Sequence, residues 1–300
     1  MEAIRGGVPS GDDRRRPRAP GFEVGALLGR GAYGEVWSAV RVIDGAEVAL
    51  KVLRGQPGEE ARLRFRREAE AAGAVDSARV PRVLESDMLG ATPFIAYERL
   101  EGETLEARLE RDGDLPLADV LPLTDDLLDA LEAAHAESII HRDVKPSNVF
   151  LEQVGGELRA RLLDFGVAKR SAADDAMPLR TSTGKTLGSL AYMAPEQAGA
   201  AGSVDARADL YGLGAIVFRA LAGRPPFSGG SPAAVLALKL DRDAPPLSSV
   251  TGVDWPKAVE GWLARLLARD PARRFASATA AREALEVLCE RVGVTRRSAG

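Results

Sequence analysis

From Phe22 the chain runs in short apolar stretches that read as strands. FEVGALLG is followed by EVWSAVRV (35–42), β-branched and aromatic, and, past an Asp44-Gly45 turn, by VALKV (48–52). The pattern predicts strands joined by tight hairpin turns. The period changes over Glu59 to Ala72, where Phe65, Glu68 and Ala72 share one helical face at i, i+3 and i+7. That spacing turns Glu68 inward and Glu70 outward. Strands are expected again over Val80 to Glu85 and Pro93 to Tyr97, with Glu98 to Gly102 as a connector where two lobes would meet. A helix from about Thr104 and a longer one from about Ala118 to Ala136 follow. The stretch IIHRDVKPSNVFL (139–151) then reads as a short polar loop between two buried strands, and a hairpin turning at Gly155-Gly156 returns the chain to Arg161-Leu162-Leu163. A last helix is expected over about Ala276 to Val292.

Composition narrows the class. At 300 residues, 45% hydrophobic and 28% charged, the chain suits one large domain or two lobes sharing a cleft. A net charge of −4 gives no reason to expect nucleic acid or an anionic membrane as partner. The one cysteine, Cys289, excludes an internal disulfide and suits a reducing compartment. No apolar run reaches the roughly 18 to 20 residues of a bilayer span, and the start of the chain lacks a signal-peptide core, so a cytoplasmic protein is expected. Residues 1–20, rich in Gly, Pro and Arg, read as a flexible basic tail, with a docking arm as the alternative. Of 40 Lys and Arg, six are lysine: Lys51, Lys145, Lys169, Lys185, Lys239 and Lys257. In a chain that defaults to arginine, a lysine at a chemical position suggests that a compact ammonium is needed there.

The chemistry centres on residues 139–151. Asp143, Lys145 and Asn148 would supply an acceptor for a hydroxyl proton, a point charge for a migrating phosphate and an oxygen for a metal ion. His141, wedged beside Ile140, and His135, late on its helix, read as structural. Gly29, Gly31 and Gly34 follow G-x-G-x-x-G order, a spacing shared with dinucleotide folds. Here, however, a strand follows rather than a helix, so the glycines sit on a hairpin flap whose N–H groups can cover phosphates. Lys51, among apolar neighbours, needs a partner for its charge, and Glu68 is the candidate. Together they would hold the α- and β-phosphates. Adenine would meet the backbone near Glu98 to Leu100, with Tyr97 at the back of its pocket. Asp164, 21 residues after Asp143 and followed by Phe165 as an apolar plug and Gly166 as a hinge, would share a Mg²⁺ with Asn148.

The ordered set GRGAYGEV, VALK, HRDVKPSN, DFG (164–166) and Ala194-Pro195-Glu196, continuing through DLYGLG around Asp209 and GRPPF to RDPARRF, resembles the protein kinase family, and within it the bacterial eukaryotic-like Ser/Thr kinases. The resemblance covers about residues 21–292. It implies an α+β, two-lobed fold: a small antiparallel-sheet N-lobe with one key helix (21–98) and a larger, mainly helical C-lobe (99–292), with 293–300 as a tail. It implies transfer of the γ-phosphate of ATP to Ser/Thr hydroxyls of protein substrates, with Mg²⁺ or alternatively Mn²⁺.

Asp143 is then the catalytic base or hydroxyl-orienting residue and Lys145 a γ-phosphate contact. Asn148 and Asp164 become metal ligands, Lys51 and Glu68 the ATP-positioning pair, and Leu28, Val36, Ala49, Leu100 and Phe150 further nucleotide contacts. Arg274 stands where the family places the partner of the Glu196 carboxylate. Ser189 stands where the family usually has Thr, keeping a hydroxyl that would bond Asp143 and Lys145. DSARVP replaces the His-Pro-Asn common after the key helix. Kinases with an arginine before the catalytic aspartate resemble switches in which a phosphate on the activation segment pairs with that arginine. Here the groups are Arg142 and Lys169, with autophosphorylation expected at Thr181 or Thr183 from a stretch that also offers Ser182 and Thr186. Self-association would serve phosphorylation in trans. Two other classes share the pattern: a nucleotide-sensing scaffold and a small-molecule phosphotransferase.

Overall fold

A computed structural model describes residues 16–31, 34–53, 58–89, 92–165, 187–198 and 204–295. It divides into two compact units. The first is built on the chain up to Phe65 with Arg82–Arg99, the second on Arg66–Pro81 and the chain from Leu100 onward.

The first unit is a five-stranded antiparallel sheet of β1 (Phe22–Arg30), β2 (Gly34–Arg41), β3 (Glu47–Leu53), β4 (Val83–Leu89) and β5 (Thr92–Glu98), in the order β1-β2-β3-β5-β4. Alternation along β3 decides its faces. Val48, Leu50 and Val52 are buried with Trp37, Ala39, Phe94 and Ala96 in one apolar core, so Ala49 and Lys51 point to the other face. Cross-strand pairing puts Val36 beside Lys51 and Tyr97 beside Ala49 on that same face. Gly34 has to be glycine, because a Cβ there would lie 2.6 Å from the carbonyl oxygen of Val52. Helix α1 (Glu59–Ala74) follows, with Phe65 and Ala72 buried, Glu68 half-buried and Glu70 exposed.

One strand lies later in the sequence than expected. Val80 does not begin it, because its N–H closes a turn onto Ser77 at 3.1 Å, and β4 starts only at Val83. It then extends through the polar Ser86 and Asp87. An edge strand pairs on one side only and tolerates such residues.

The second unit is mainly helical. A short strand β6 (Gly102–Thr104) leads into α2 (Leu105–Asp112), whose first turn is capped by the Thr104 hydroxyl, and then α3 (Leu117–Ala136). The hairpin β7 (Val149–Val154) and β8 (Glu157–Leu162) turns at Gly155-Gly156 as expected, with β6 beside β7. Helices α4 (Leu187–Tyr192), α5 (Arg207–Ala222), α6 (Pro232–Asp241), α7 (Leu247–Thr251), α8 (Lys257–Leu266) and α9 (Ala278–Val292) complete it. Helix α5 is apolar almost all round and buried along nearly its whole length, which makes it the axis against which α3 and α8 pack. Ser277 caps α9 through its side chain and Gly293 ends it in the left-handed conformation.

Buried carboxylates on α3 are all matched. Arg282 on α9 donates to Asp125 and Asp129, and Asp126 receives Arg79 and the N–H of Ala160. No helix among the described residues is long and apolar enough to cross a membrane.

Candidate active site

The loop bearing Asp143 belongs to the second unit. The two isoleucines before it were expected to form a strand, and they do not. Ile139 bonds back to Ala134 of α3, and Ile140 is half-buried irregular chain. What anchors the loop is a side chain. Asp209, in the first turn of α5 and 1% exposed, accepts the N–H of His141 at 2.9 Å and that of Arg142 at 2.7 Å. His135 donates from Nε2 to the same carboxylate at 2.9 Å. A carboxylate that takes successive N–H groups holds Arg142 in the left-handed conformation, φ +62°.

His141 ties the loop to the end of β8. Its Nε2 donates to the Leu163 carbonyl at 2.8 Å, so Nδ1 is the acceptor that receives the Asp143 N–H at 3.2 Å. Its ring also packs on buried Phe165, centroids 5.1 Å apart. His141 and Phe165, both read as structural from the sequence, meet in this one contact.

Asp143 is oriented from two sides. Lys145 Nζ reaches Oδ2 at 2.9 Å and Asn148 Nδ2 donates to the same oxygen at 3.0 Å and to the Asp143 carbonyl at 2.9 Å. The Asn148 carbonyl in turn accepts the N–H of Leu163 at 2.8 Å. Leu163, gripped at its N–H by Asn148 and at its carbonyl by His141, sets where Asp164 begins. Asp164 is exposed, at φ +51°. Asn148 spends its amide N–H₂ on Asp143, which leaves its Oδ1 as an oxygen donor, and its carbonyl holds Leu163, the residue before Asp164. An amide oxygen and a carboxylate form a hard-oxygen set suited to Mg²⁺.

Beside Asp143 lies a cavity lined by Arg142, Lys145, Ser189, Tyr192, Met193 and Gln197. Ser189 is in place, but among the described residues its hydroxyl makes no hydrogen bond to Asp143 or Lys145; those two bond each other directly. The segment that walls the cavity is held from three directions. Gln197 accepts the N–H of Ala194 at 2.9 Å and donates to the Arg142 carbonyl at 3.0 Å. Arg274 forms a bidentate pair with Glu196, at 2.6 and 2.8 Å, as expected. Lys239 donates to the carbonyls of Ala191 and Met193, both at 2.7 Å. Burial pushes the Tyr192 phenol up to about 12.

Gln197 and Lys239 were not anticipated. Gln197 carried no signal. Lys239 did, as one of the six lysines in an arginine-rich chain, set between Leu238 and Leu240.

The nucleotide-binding candidates fall in both units. Leu28, Gly29, Gly31, Gly34, Val36, Ala49, Lys51, Tyr97 and Glu98 lie in the first, while Glu68, Leu100 and Phe150 lie in the second. The Glu98 N–H already donates to the Arg82 carbonyl at 3.0 Å and is therefore not available to a base. Gly166, Lys169, Thr181 and Thr183 lie outside the described residues.

The sequence pattern of the protein kinase domain family matches residues 22–286. The chain is 39% identical to serine/threonine-protein kinase Pkn1 of Myxococcus xanthus over 93% of its length, and 38% identical to pkn2 of the same organism over 88%. It is also 35% identical over 91% of its length to PknL of Mycobacterium tuberculosis. It spans 40%, 32% and 67% of those three proteins respectively. With the fold, the oriented aspartate and these likenesses in agreement, the chain belongs to the protein kinase domain family.

Proposed function

We propose that this chain is the catalytic domain of an ATP-dependent serine/threonine protein kinase. The observation that carries the reading is the orientation of Asp143, whose Oδ2 is fixed by both Lys145 and Asn148 in a loop pinned by Asp209. A carboxylate so held can accept a hydrogen bond from an incoming Ser or Thr hydroxyl and take its proton as the oxygen attacks the γ-phosphorus. The bond from that phosphorus to the β–γ bridging oxygen breaks, and ADP leaves with the electron pair. Lys145, beside Asp143, offers a positive charge to the migrating phosphoryl group.

Asn148 and Asp164 are the residues that would hold Mg²⁺, or alternatively Mn²⁺. When bound, the ion neutralises charge that develops on the β- and γ-phosphates. Lys51 and Glu68 take the family's ATP-positioning roles. The backbone of Gly29, Gly31 and Gly34 covers phosphates, and the backbone near Glu98 to Leu100 meets adenine, among the side chains of Leu28, Val36, Ala49, Tyr97 and Phe150.

The activity is set by autophosphorylation at Thr181 or Thr183, with Arg142 and Lys169 receiving the phosphate. This part of the reading is supported by the Arg142 Nε, which is buried with no hydrogen-bond partner among the described residues. A cytoplasmic setting and transient self-association for phosphorylation in trans complete the reading.

The test is phosphate transfer from ATP-Mg²⁺ to the chain itself and to myelin basic protein, with mass spectrometry to place the sites. Phosphoserine and phosphothreonine on the acceptor, and phosphate on Thr181 or Thr183 of the chain, are expected. Transfer only to free sugars, aminoglycosides or choline would overturn the assignment to protein substrates.

A further inference from the structure

Lys239 is the least expected buried group in the second unit. It lies on α6, only 1% exposed, and α6 packs against α4 and the turn Pro195–Ala198. Among the described residues no carboxylate pairs with its ammonium. Two carbonyls do, those of Ala191 and Met193 at 2.7 Å each, and the Tyr211 ring stands 5.0 Å away, a ring that also receives Arg274 at 4.9 Å. A buried lysine with no counter-ion is costly, and a methionine of similar volume would fill the site without that cost. In a chain with 40 Lys and Arg, of which six are lysine, an ammonium here is a specific choice. An ammonium can converge on two carbonyls from one point, whereas a planar guanidinium cannot close on them in the same space.

The two carbonyls flank Tyr192, and Tyr192 and Met193 wall the cavity beside Asp143. We propose that Lys239 is a positioning residue for the protein substrate: by clamping Ala191 and Met193 it fixes the wall against which the acceptor segment docks, without itself touching substrate. This rests on the kinase reading above and extends it to how the acceptor is held. Gln197 and the Arg274–Glu196 pair hold the C-terminal end of the same segment, and Lys239 holds its middle. With the clamp removed the wall can move, so acceptor binding weakens while the nucleotide and Asp143 are left as they were.

The experiment compares wild type with Lys239→Met, which keeps volume and removes the ammonium, and Lys239→Gln, which keeps an N–H donor. Initial rates are taken over a range of myelin basic protein and, separately, of ATP, with amide hydrogen exchange followed in residues 187–198 of the same proteins. The expected result for Lys239→Met is an acceptor KM raised about tenfold, kcat within about threefold and KM for ATP within about twofold. Lys239→Gln should fall between, and exchange should quicken at 187–198 in both. If Lys239→Met does not accumulate folded, Lys239→Gln carries the comparison alone.

An unchanged acceptor KM, or acceptor and ATP parameters that fall together, would overturn the proposal. Unchanged exchange at 187–198 overturns the clamp whatever the transfer assay gives. A wild-type chain that transfers nothing to protein sinks the kinase reading and the acceptor role with it, while exchange still judges the clamp.

Discussion

The Asp209 carboxylate accepts the Arg142 N–H at 2.7 Å across 67 residues of sequence, and with its other oxygen it takes the N–H of His141. A loop that carries Asp143, the proposed catalytic carboxylate, is therefore positioned by a helix rather than by a neighbouring strand. Asp209→Ala strands two N–H groups, one buried and one part-buried, and the His135 Nε2. It should cost about 2–4 kcal/mol, at roughly 1–3 kcal/mol for each buried group left unpaired. Urea unfolding should show the loss, and phosphate transfer should drop steeply in whatever protein remains folded. Asp209→Asn, which keeps one acceptor oxygen, should lie between.

Arg274 is the second anchor. Its side chain is fully buried and grips Glu196 with both terminal nitrogens, while Nε donates to the Ala268 carbonyl. Removing one partner of a buried pair leaves an uncompensated charge, so Glu196→Ala should destabilise by about 3–5 kcal/mol. A denaturant midpoint unchanged from wild type would count against the pair as a structural tie.

Lys239 gives the fold a pH signature. Burial, with Arg274 nearby and only partly offset by Glu196, pushes its ammonium from 10.5 down to about 7. Tyr211 is raised above its ordinary range by burial and stays neutral throughout. Between pH 7 and 10.5 the unfolded chain holds a proton on Lys239 that the folded chain has released, so folding becomes more favourable as pH rises. Below about 7 both forms are protonated and the slope vanishes. Unfolding free energies measured from pH 6 to 9.5 should therefore favour wild type over Lys239→Met increasingly above pH 7, by at most about 1.4 kcal/mol per pH unit. A constant difference across that range would contradict the assignment.

Helix α5 approaches the loop so closely that only glycine fits at 212, where a Cβ would sit 2.9 Å from both the Cβ and the carbonyl oxygen of Val144. Val144 stands between Asp143 and Lys145. Gly212→Ala should cost about 1–3 kcal/mol, the usual range for overpacking, and lower transfer more than its stability loss explains. Thermal melts and initial rates on the same preparation check both.

What the sequence made legible follows from how local each constraint is. Asp143, Lys145 and Asn148 act together from within one loop, so their chemistry imposes a spacing that can be read directly. The hairpin at Gly155-Gly156 and the helix ending at Ala136 were legible for the same reason. The anchors were harder, because Asp209 works on residues 67 and 68 positions away and Lys239 on residues 46 and 48 away. Asp209 and Arg274 were placed by family resemblance, not by any pattern around them. Ile139 and Ile140 looked like a strand because apolar pairs next to polar loops usually are. Here Ile139 bonds back to the Ala134 carbonyl and the residues after it are held by the Asp209 side chain, neither of which periodicity can reveal. The strand β4 was misplaced because its polar half is tolerated only at a sheet edge, and edge position is a property of the whole sheet.

The most direct test of the central claim is a single-turnover measurement of phosphate transfer from ATP-Mg²⁺ to myelin basic protein, comparing wild type with Asp143→Asn. The account predicts that the variant keeps its melting temperature and binds nucleotide like wild type, yet transfers more slowly by about 10²–10⁴-fold. Equal rates in the two proteins would contradict it, since the carboxylate held by Lys145 and Asn148 would then have no part in the reaction.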